Sequence, residues 1–226
     1  MGLTILVVKV RALGDSIMGL GALQYLKEVL PQAKIIYGVP SWVAPIYQNV
    51  ETACDDVLPM DFHGVNNIIN TVGGLLNLAP DMIIELHQSG SSGKILSAYG
   101  RSRNIPYYFH NHHLKSGEDQ KVAYQGVTRA LIQRDLDGIW SHLFKDTNLE
   151  IPDFLKFTPI MKMKNSFIDK IEKKQRLFLG ITATRETKLW GVERFVELAK
   201  KVMDFFPGLE IVVPLSKSYF DEELCF

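Results

Sequence analysis

Short apolar runs alternate along this chain with segments whose apolar residues recur at helical spacing. The first run, Leu3 to Val8, is typical of a β-strand. After it, apolar side chains recur every three or four positions, as on one helix face that should end at Pro31: Ile17, Leu20, Leu23, Leu26 and Leu30. Further runs predict strands at 33–39, 55–60, 81–86 and 105–109. This alternation predicts an α/β fold with a mostly parallel, doubly wound sheet.

The same pattern predicts two domains. Helical spacing over 118–136 is expected to close the first domain, and turn residues at 145–154 predict a connector, which gives domains 1–150 and 151–226. The second domain repeats the αβ pattern as a strand at 176–181, a helix at 191–205 and a strand at 209–213. Because it is short for a Rossmann-like domain, we expect it to be incomplete.

Composition and charge narrow the classes of function. With 46% hydrophobic and 22% charged residues the chain is an ordinary globular protein. Its 25 basic and 25 acidic residues create no overall field for nucleic acid, so any anion site must be local. Cys54 and Cys225 suggest no disulfide framework, and no stretch approaches 18 apolar residues. We therefore expect a cytoplasmic protein, with peripheral contact to a membrane left open.

The loop after the first strand is the first candidate site, because ligands of doubly wound sheets lie beyond the C-terminal ends of strands. Asp15 stands there at the expected start of a helix. Its spacing favours a helix cap, with a catalytic carboxylate as the alternative. Gly14, Gly19 and Gly21 are in the wrong order for a dinucleotide fingerprint, and no Lys-Ser or Lys-Thr follows them as in a P-loop.

Two further loops carry candidate chemistry. After the strand at 176–181, two hydroxyls and two cations precede a helix start and form a plausible phosphate cradle, with a solvated loop as an equal alternative: Thr182, Thr184, Arg185 and Lys188. The Gly- and Ser-rich stretch 87–94 could approach a polar substrate, and Arg101 and Arg103 follow it. A plain strand-to-helix turn is the favoured interpretation of that stretch.

Two patterns that bind metals elsewhere are better explained without a metal. His110, His112 and His113 lack the i, i+4 spacing of a helical zinc pair and have no cysteine nearby, so a surface loop is favoured. Asp135 and Asp137 form a D-x-D at the end of a helical pattern instead of after a strand, and we interpret them as a helix terminus. No metal site is predicted.

Two loops taken together resemble a known family. Leu13-Gly14-Asp15, then Gly21-Ala22-Leu23 and Pro31, are followed about 170 residues later by Lys188-Leu189-Trp190 and Glu193-Arg194-Phe195. This order is similar to that of the bacterial heptosyltransferases of glycosyltransferase family nine, which build the lipopolysaccharide core. Two departures are Arg11 and Ala12, where that family commonly has serines. A later Asp-Thr-Gly and His segment has no counterpart.

The resemblance implies a GT-B architecture of two Rossmann-like domains. It implies inverting, metal-independent transfer of heptose from ADP-heptose to a Kdo-containing lipid A acceptor, with no cofactor besides the donor. In this sequence Asp15 matches the general base, Lys188 faces the donor diphosphate and Thr184 is a phosphate-contacting hydroxyl; Arg185 joins them from the loop composition. Four residues of the first domain are candidates for acceptor binding: Ser91, Lys94, Arg101 and Arg103.

Other functions stay open. A non-catalytic sugar- or nucleotide-binding module, or one half of a split or degenerate glycosyltransferase, would share the same motifs. A nicotinamide-dependent oxidoreductase is disfavoured because the required glycine order is absent. The expected partners are a nucleotide sugar and a lipid-linked sugar acceptor, without nucleic acid, in the cytoplasm or at the cytoplasmic face of the inner membrane.

Overall fold

The computed structural model describes residues 2–87, 90–109, 130–164, 174–181 and 189–214. The chain forms two compact units, Met1–Ile168 and Asp169–Phe226. The segment 145–154, predicted as the connector, lies within the first unit. The boundary between the units therefore lies after Ile168, beyond the predicted domain boundary at 150/151.

The first unit contains seven strands and six helices among its described residues. The strands are β1 (Thr4–Val8), β2 (Lys34–Pro40), β3 (Val50–Glu51), β4 (Asp56–Met60), β5 (Met82–Glu85), β6 (Tyr107–Phe109) and β7 (Lys162–Met163). The helices are α1 (Leu13–Met18), α2 (Leu20–Val29), α3 (Ala44–Tyr47), α4 (Val65–Leu78), α5 (Gly90–Arg103) and α6 (Leu131–Leu143). Each predicted strand of this unit is present, shorter by one or two residues at its ends or shifted by one.

Five of these strands form a parallel sheet in the order β4-β2-β1-β5-β6. In register, Ile5 of β1 lies between Ile35 of β2 and Met82 of β5. From β1 the chain moves outward to β2 and β4, whereas from β5 it moves the opposite way to β6. The predicted doubly wound parallel sheet is therefore confirmed, and its strand order reverses between β1 and β5.

Helices cover both faces of this sheet, which explains why its central strands are apolar on both sides. On one face α2 and α6 pack on Ile5, Val7 and Ile35. On the other face α4 and α5 pack on Leu6, Val8, Ile36 and Ile83. The chain therefore buries two cores, one on each side of β1.

The single helix predicted after β1 is in fact two helices, α1 and α2, that meet at Gly19. A Cβ at Gly19 would lie 2.3 Å from the Tyr37 hydroxyl, and one at Gly21 would lie 2.2 Å from the Phe157 carbonyl oxygen. Real Cβ atoms do not approach so closely, so both positions need glycine. These glycines serve packing, which agrees with their failure to spell a nucleotide fingerprint.

Helix α6 runs through the D-x-D that was predicted to end a helix. Asp135 and Asp137 lie in its middle, so that prediction is wrong. The reason is that the Asp135 side chain is buried and paired with Lys9, a partner 126 positions away that no local pattern shows. Residues 110–129, with the three histidines and the start of the predicted helix 118–136, lie outside the described residues.

The second unit is built on two parallel strands, β8 (Arg176–Phe178) and β9 (Glu210–Val212), with α7 (Val192–Phe205) between them in sequence. Arg176 Nε donates to Glu210 Oε2 at 2.7 Å across the strand pair. Gly191, at φ +96°, precedes α7 in a conformation that favours glycine. The predicted strands at 176–181 and 209–213 and the helix at 191–205 are confirmed, with shorter strands.

Candidate functional site

The reversal of strand order between β1 and β5 creates the place where doubly wound sheets bind ligands. The chain leaves β1 through Lys9 and Arg11 and leaves β5 through Leu86 and His87. The connections diverge from there to opposite faces of the sheet. Polar side chains on these two exits therefore define the candidate site.

Asp15 lies in the first turn of α1, at the third residue of that helix. The N-cap position is held by Ala12, and no side chain caps the helix there. The interpretation of Asp15 as the helix cap is therefore wrong, because the N-cap, Ala12, lies three residues before Asp15. Its side chain is 25% exposed, so the carboxylate can reach a bound molecule while it stays partly enclosed.

Arg11 connects the two exits. Its Nε lies 4.0 Å from Asp15 Oδ2, and its Nη1 is hydrogen-bonded to His87 Nε2. Because a guanidinium only donates, the His87 Nε2 atom accepts and carries no hydrogen in this arrangement. Sequence reasoning missed this contact, although both residues follow predicted strands and His87 opens the Gly- and Ser-rich stretch. Asp15, Arg11 and His87 thus form one polar cluster over the switch point.

Two buried carboxylates lie beneath this cluster. Lys9 and Asp135, exposed by 1% and 0%, form an ion pair. Glu85, at the end of β5, accepts hydrogen bonds from Ser92 Oγ and, at 2.5 Å, from the Tyr107 hydroxyl. Buried charges require such partners, since burying an unpaired charge would destabilise the fold by several kcal/mol. The floor of the site is therefore polar, and the Lys9 charge within it is paired.

A hydroxyl network fixes α1 from below. Ser16 Oγ donates to the Leu13 carbonyl at 2.8 Å, the Tyr37 hydroxyl donates to the Ser16 carbonyl at 2.8 Å, and the Tyr47 hydroxyl donates to Ser16 Oγ at 3.2 Å. Burial, with a smaller contribution from neighbouring groups that include Asp135, raises the pKa of Tyr37 well above its ordinary value, so its phenol stays protonated. These bonds hold the helix that carries Asp15.

The four candidates for acceptor binding are spread along α5. Ser91 is exposed in the first turn of α5, at the same edge of the sheet as Asp15, and Lys94 is exposed one turn further. Arg101 and Arg103 lie in the last turn, about 15 Å along the helix axis from Ser91 at the usual helical rise. The structure therefore does not bring the two arginines to the end of the helix where Asp15 lies.

The donor-side candidates Thr184, Arg185 and Lys188 lie outside the described residues, so their roles stay predictions. The motif residues next to them are described. Trp190 meets the Phe195 ring edge-on, with centroids 5.0 Å apart, and is half exposed. A helix begins directly after this tryptophan and Gly191, as the resemblance requires of this loop.

A cavity of about 410 Å³ lies apart from Asp15, between α3, β3 and β4. Cys54, on its wall, shares a hydrogen bond with Thr52 Oγ1 at 3.0 Å. Burial raises the pKa of the Cys54 thiol, which disfavours the thiolate that a nucleophile would need. Among the described residues, no group of three or more His, Cys, Asp or Glu side chains is placed to hold a metal ion.

The strand order and the covered parallel sheet define a doubly wound α/β fold, and the solved structures that share it are glycosyltransferases of the GT-B fold. The structure is similar to E. coli heptosyltransferase WaaC with ADP, at a TM-score of 0.66 and 17% identity over 98% of this chain and 70% of that one. It is also similar to E. coli ADP-heptose lipopolysaccharide heptosyltransferase II, at a TM-score of 0.67 and 18% identity over 98% of this chain and 66% of that one.

A glycosyltransferase of family nine from Veillonella parvula is similar at a TM-score of 0.62 and 16% identity, over 93% of this chain and 62% of that one. No protein-family model and no curated protein sequence matches the chain. The chain thus spans between 62% and 70% of the length of these three structures. The predicted resemblance to heptosyltransferases is confirmed for the fold.

No helix among the described residues is long and apolar enough to cross a membrane.

Proposed function

We propose that this protein is a glycosyltransferase that transfers a sugar from a nucleotide sugar to a lipid-linked sugar acceptor. The observation that carries the proposal is the partly exposed Asp15 at the switch point of a sheet shared with heptosyltransferase structures. One WaaC structure holds ADP, and a second WaaC structure holds ADP-2-deoxy-2-fluoro heptose. ADP-heptose is therefore the proposed donor.

In the proposed reaction Asp15 acts as the general base. The acceptor hydroxyl oxygen attacks the anomeric carbon of the donor while its proton passes to the Asp15 carboxylate. The bond from the anomeric carbon to the phosphate oxygen breaks, and its electron pair leaves with the nucleotide diphosphate. Attack opposite to the leaving group inverts the configuration.

The donor diphosphate is assigned to Lys188, Thr184 and Arg185. Charge grows on the diphosphate as it leaves, and cations and hydroxyl donors placed there stabilise that charge. We assign no metal to the reaction, because these fixed donors supply what a divalent ion would. The measurement that tests this is turnover in the presence of EDTA, which should be unchanged.

The proposed acceptor is a Kdo-containing lipid of the lipopolysaccharide inner core, at the cytoplasmic face of the inner membrane. Ser91 and Lys94 support acceptor binding, since both are exposed where α5 leaves the edge of the sheet that holds Asp15. Arg101 and Arg103, in the last turn of α5, are not assigned to the acceptor.

Calorimetric titration of the full chain with several nucleotide sugars tests the proposal. ADP-heptose should bind more tightly than uridine-linked sugars, and Lys188→Ala should weaken that binding, by about tenfold if one charged hydrogen bond is lost. Lys201→Ala is the matched control, because Lys201 is exposed and pairs with Glu197. Donor binding without transfer would favour a non-catalytic module or half of a split enzyme. Failure to bind any nucleotide sugar would overturn the proposal.

A further inference from the structure

Helix α4 carries an apolar stripe that faces away from the sheet. Val65, Ile69 and Leu76 are 74%, 61% and 44% exposed, and the half-buried Val72 lies between them. Their spacing of four, three and four residues places all four on one side of the helix. A Cβ added at Gly73, beside the stripe, would meet nothing within 4 Å, so this surface is open.

Helix α5 presents cations in the same layer. Lys94, Ala98 and Arg101 are exposed at a spacing that forms a second stripe, and Arg103 follows it. Residues 65–78 contain no charged residue, and 90–103 contain three basic residues and no acidic one. The whole chain is balanced at 25 basic and 25 acidic residues, so the excess of three positive charges is local.

The two stripes form one surface because the helices are neighbours. The Tyr99 hydroxyl of α5 donates to the Leu75 carbonyl of α4 at 2.8 Å. Leu75, Leu96 and Tyr99 also belong to one buried cluster under both helices. Their outward sides therefore lie next to each other. We call this the α4–α5 face, made of the apolar and basic residues named above.

Two acidic residues flank α4 in sequence, Asp61 and Asp81, and both hydrogen-bond to neutral groups beside them. The Asp61 carboxylate accepts from the His63 amide at 2.9 Å and from Asn67 Nδ2 at 3.0 Å. The Asp81 carboxylate accepts from the Thr4 amide at 2.8 Å. The two helices of the face themselves carry no carboxylate, so its own residues are net positive.

We infer that the α4–α5 face docks on an anionic phospholipid surface. Exposed apolar side chains that enter the headgroup region, beside basic side chains that meet lipid phosphates, are the two contributions that hold a helix at a bilayer surface. A second copy of the chain would oppose three cations with three cations, which is unfavourable. The inference goes beyond the transfer reaction, since it needs neither donor nor base.

Sedimentation of the full chain with lipid vesicles tests this docking. Vesicles of phosphatidylcholine mixed with phosphatidylglycerol should bind the protein, and pure phosphatidylcholine vesicles should bind it weakly. Higher salt should reduce binding, since exposed charges are screened. Ile69→Asp should lower the partition coefficient by about tenfold or more, as an apolar contact is lost. Arg101→Glu should lower it by about tenfold, because the local charge changes by two units.

Two control variants change residues on the other side of the sheet, in the segment where Phe157 packs under α2. Leu155 is 69% exposed and Lys156 is exposed, so Leu155→Asp and Lys156→Glu make the same chemical changes there and should bind like the parent. Circular dichroism melting checks that all four variants fold. Equal binding of parent and face variants would overturn the inference, as would a parent dimer that Ile69→Asp converts to monomer. Vesicle binding requires no turnover, so its failure leaves the proposed transfer intact.

Discussion

Asp15 and Asp135 are two carboxylates near the end of β1, and their surroundings differ. Asp135 is fully buried on α6 and is paired with Lys9, itself buried. Asp15 is a quarter exposed, and its nearest cation, Arg11, is 45% exposed and 4.0 Å away. One carboxylate is closed off by the fold, and the other is left where a bound molecule can reach it.

The difference separates structural from chemical tasks. A fully buried carboxylate keeps its charge only while its partner is present, so its pair is tied to folding. A general base must instead meet the acceptor hydroxyl and exchange its proton, which requires exposure at the site. The same residue type therefore serves stability at Asp135 and, as we propose, catalysis at Asp15.

Replacing the exposed carboxylate should change the rate and leave the fold intact. We expect Asp15→Asn to lower kcat by about 10²- to 10⁴-fold, the usual contribution of a general base. The midpoint of urea unfolding should stay near that of the parent, because the side chain is partly exposed and caps no helix. Steady-state transfer assays and urea titrations measure the two quantities. Asp146→Asn, at an exposed position after α6, is the control.

Replacing one member of the buried pair should do the opposite. Lys9→Met leaves the Asp135 carboxylate buried without its lysine and should lower the free energy of unfolding by about 3–5 kcal/mol. Urea unfolding measures the change, and donor affinity at low temperature should be largely retained. If Lys9→Met unfolded at the same urea concentration as the parent, the pair would have no structural role.

The double variant Lys9→Met with Asp135→Leu sharpens this result. It removes both charges from the interior, so it should recover most of the lost stability, as buried ion pairs often can be replaced by apolar residues at little cost. A double variant as unstable as Lys9→Met would show that the lost contacts are those of packing and not of charge.

The sheet could be predicted from the sequence because its information is local. Strands buried on both faces are continuous apolar runs, and Leu3 to Val8 and 33–39 show this directly. The location of Asp15 follows from the same pattern, since the loop after a first strand marks an exit from the sheet. Its proposed role came from the resemblance and stays a prediction.

The contacts that complete the site could not be predicted, because they join distant positions. Lys9 and Asp135 are 126 residues apart, and Arg11 and His87 are 76 apart. Helical and strand periodicities describe one element at a time and do not say which side chains meet. The need for glycine at position 19 has the same origin, since it comes from the Tyr37 hydroxyl of the neighbouring strand β2.

A third carboxylate, Asp55, lies between the two cases and should give the smallest effect. Burial raises its pKa, but hydrogen bonds from Lys27 Nζ and the Ile35 amide outweigh burial, so the pKa of Asp55 is lowered overall. Because the pKa is lower in the folded state, ionised Asp55 stabilises the fold at pH values above the ordinary carboxyl pKa. This stabilisation is lost as the pH falls through the folded-state pKa. Since Lys27 and Asp55 are each about one-third exposed, Asp55→Asn should cost only about 0.5 kcal/mol at neutral pH and nothing in acid. The urea midpoints of the parent and of Asp55→Asn should converge as the pH is lowered across that range. In a Lys27→Met background the pH-dependent difference between proteins with and without Asp55→Asn should shrink. A difference between parent and Asp55→Asn that stays constant with pH would show that the charge of Asp55 contributes nothing.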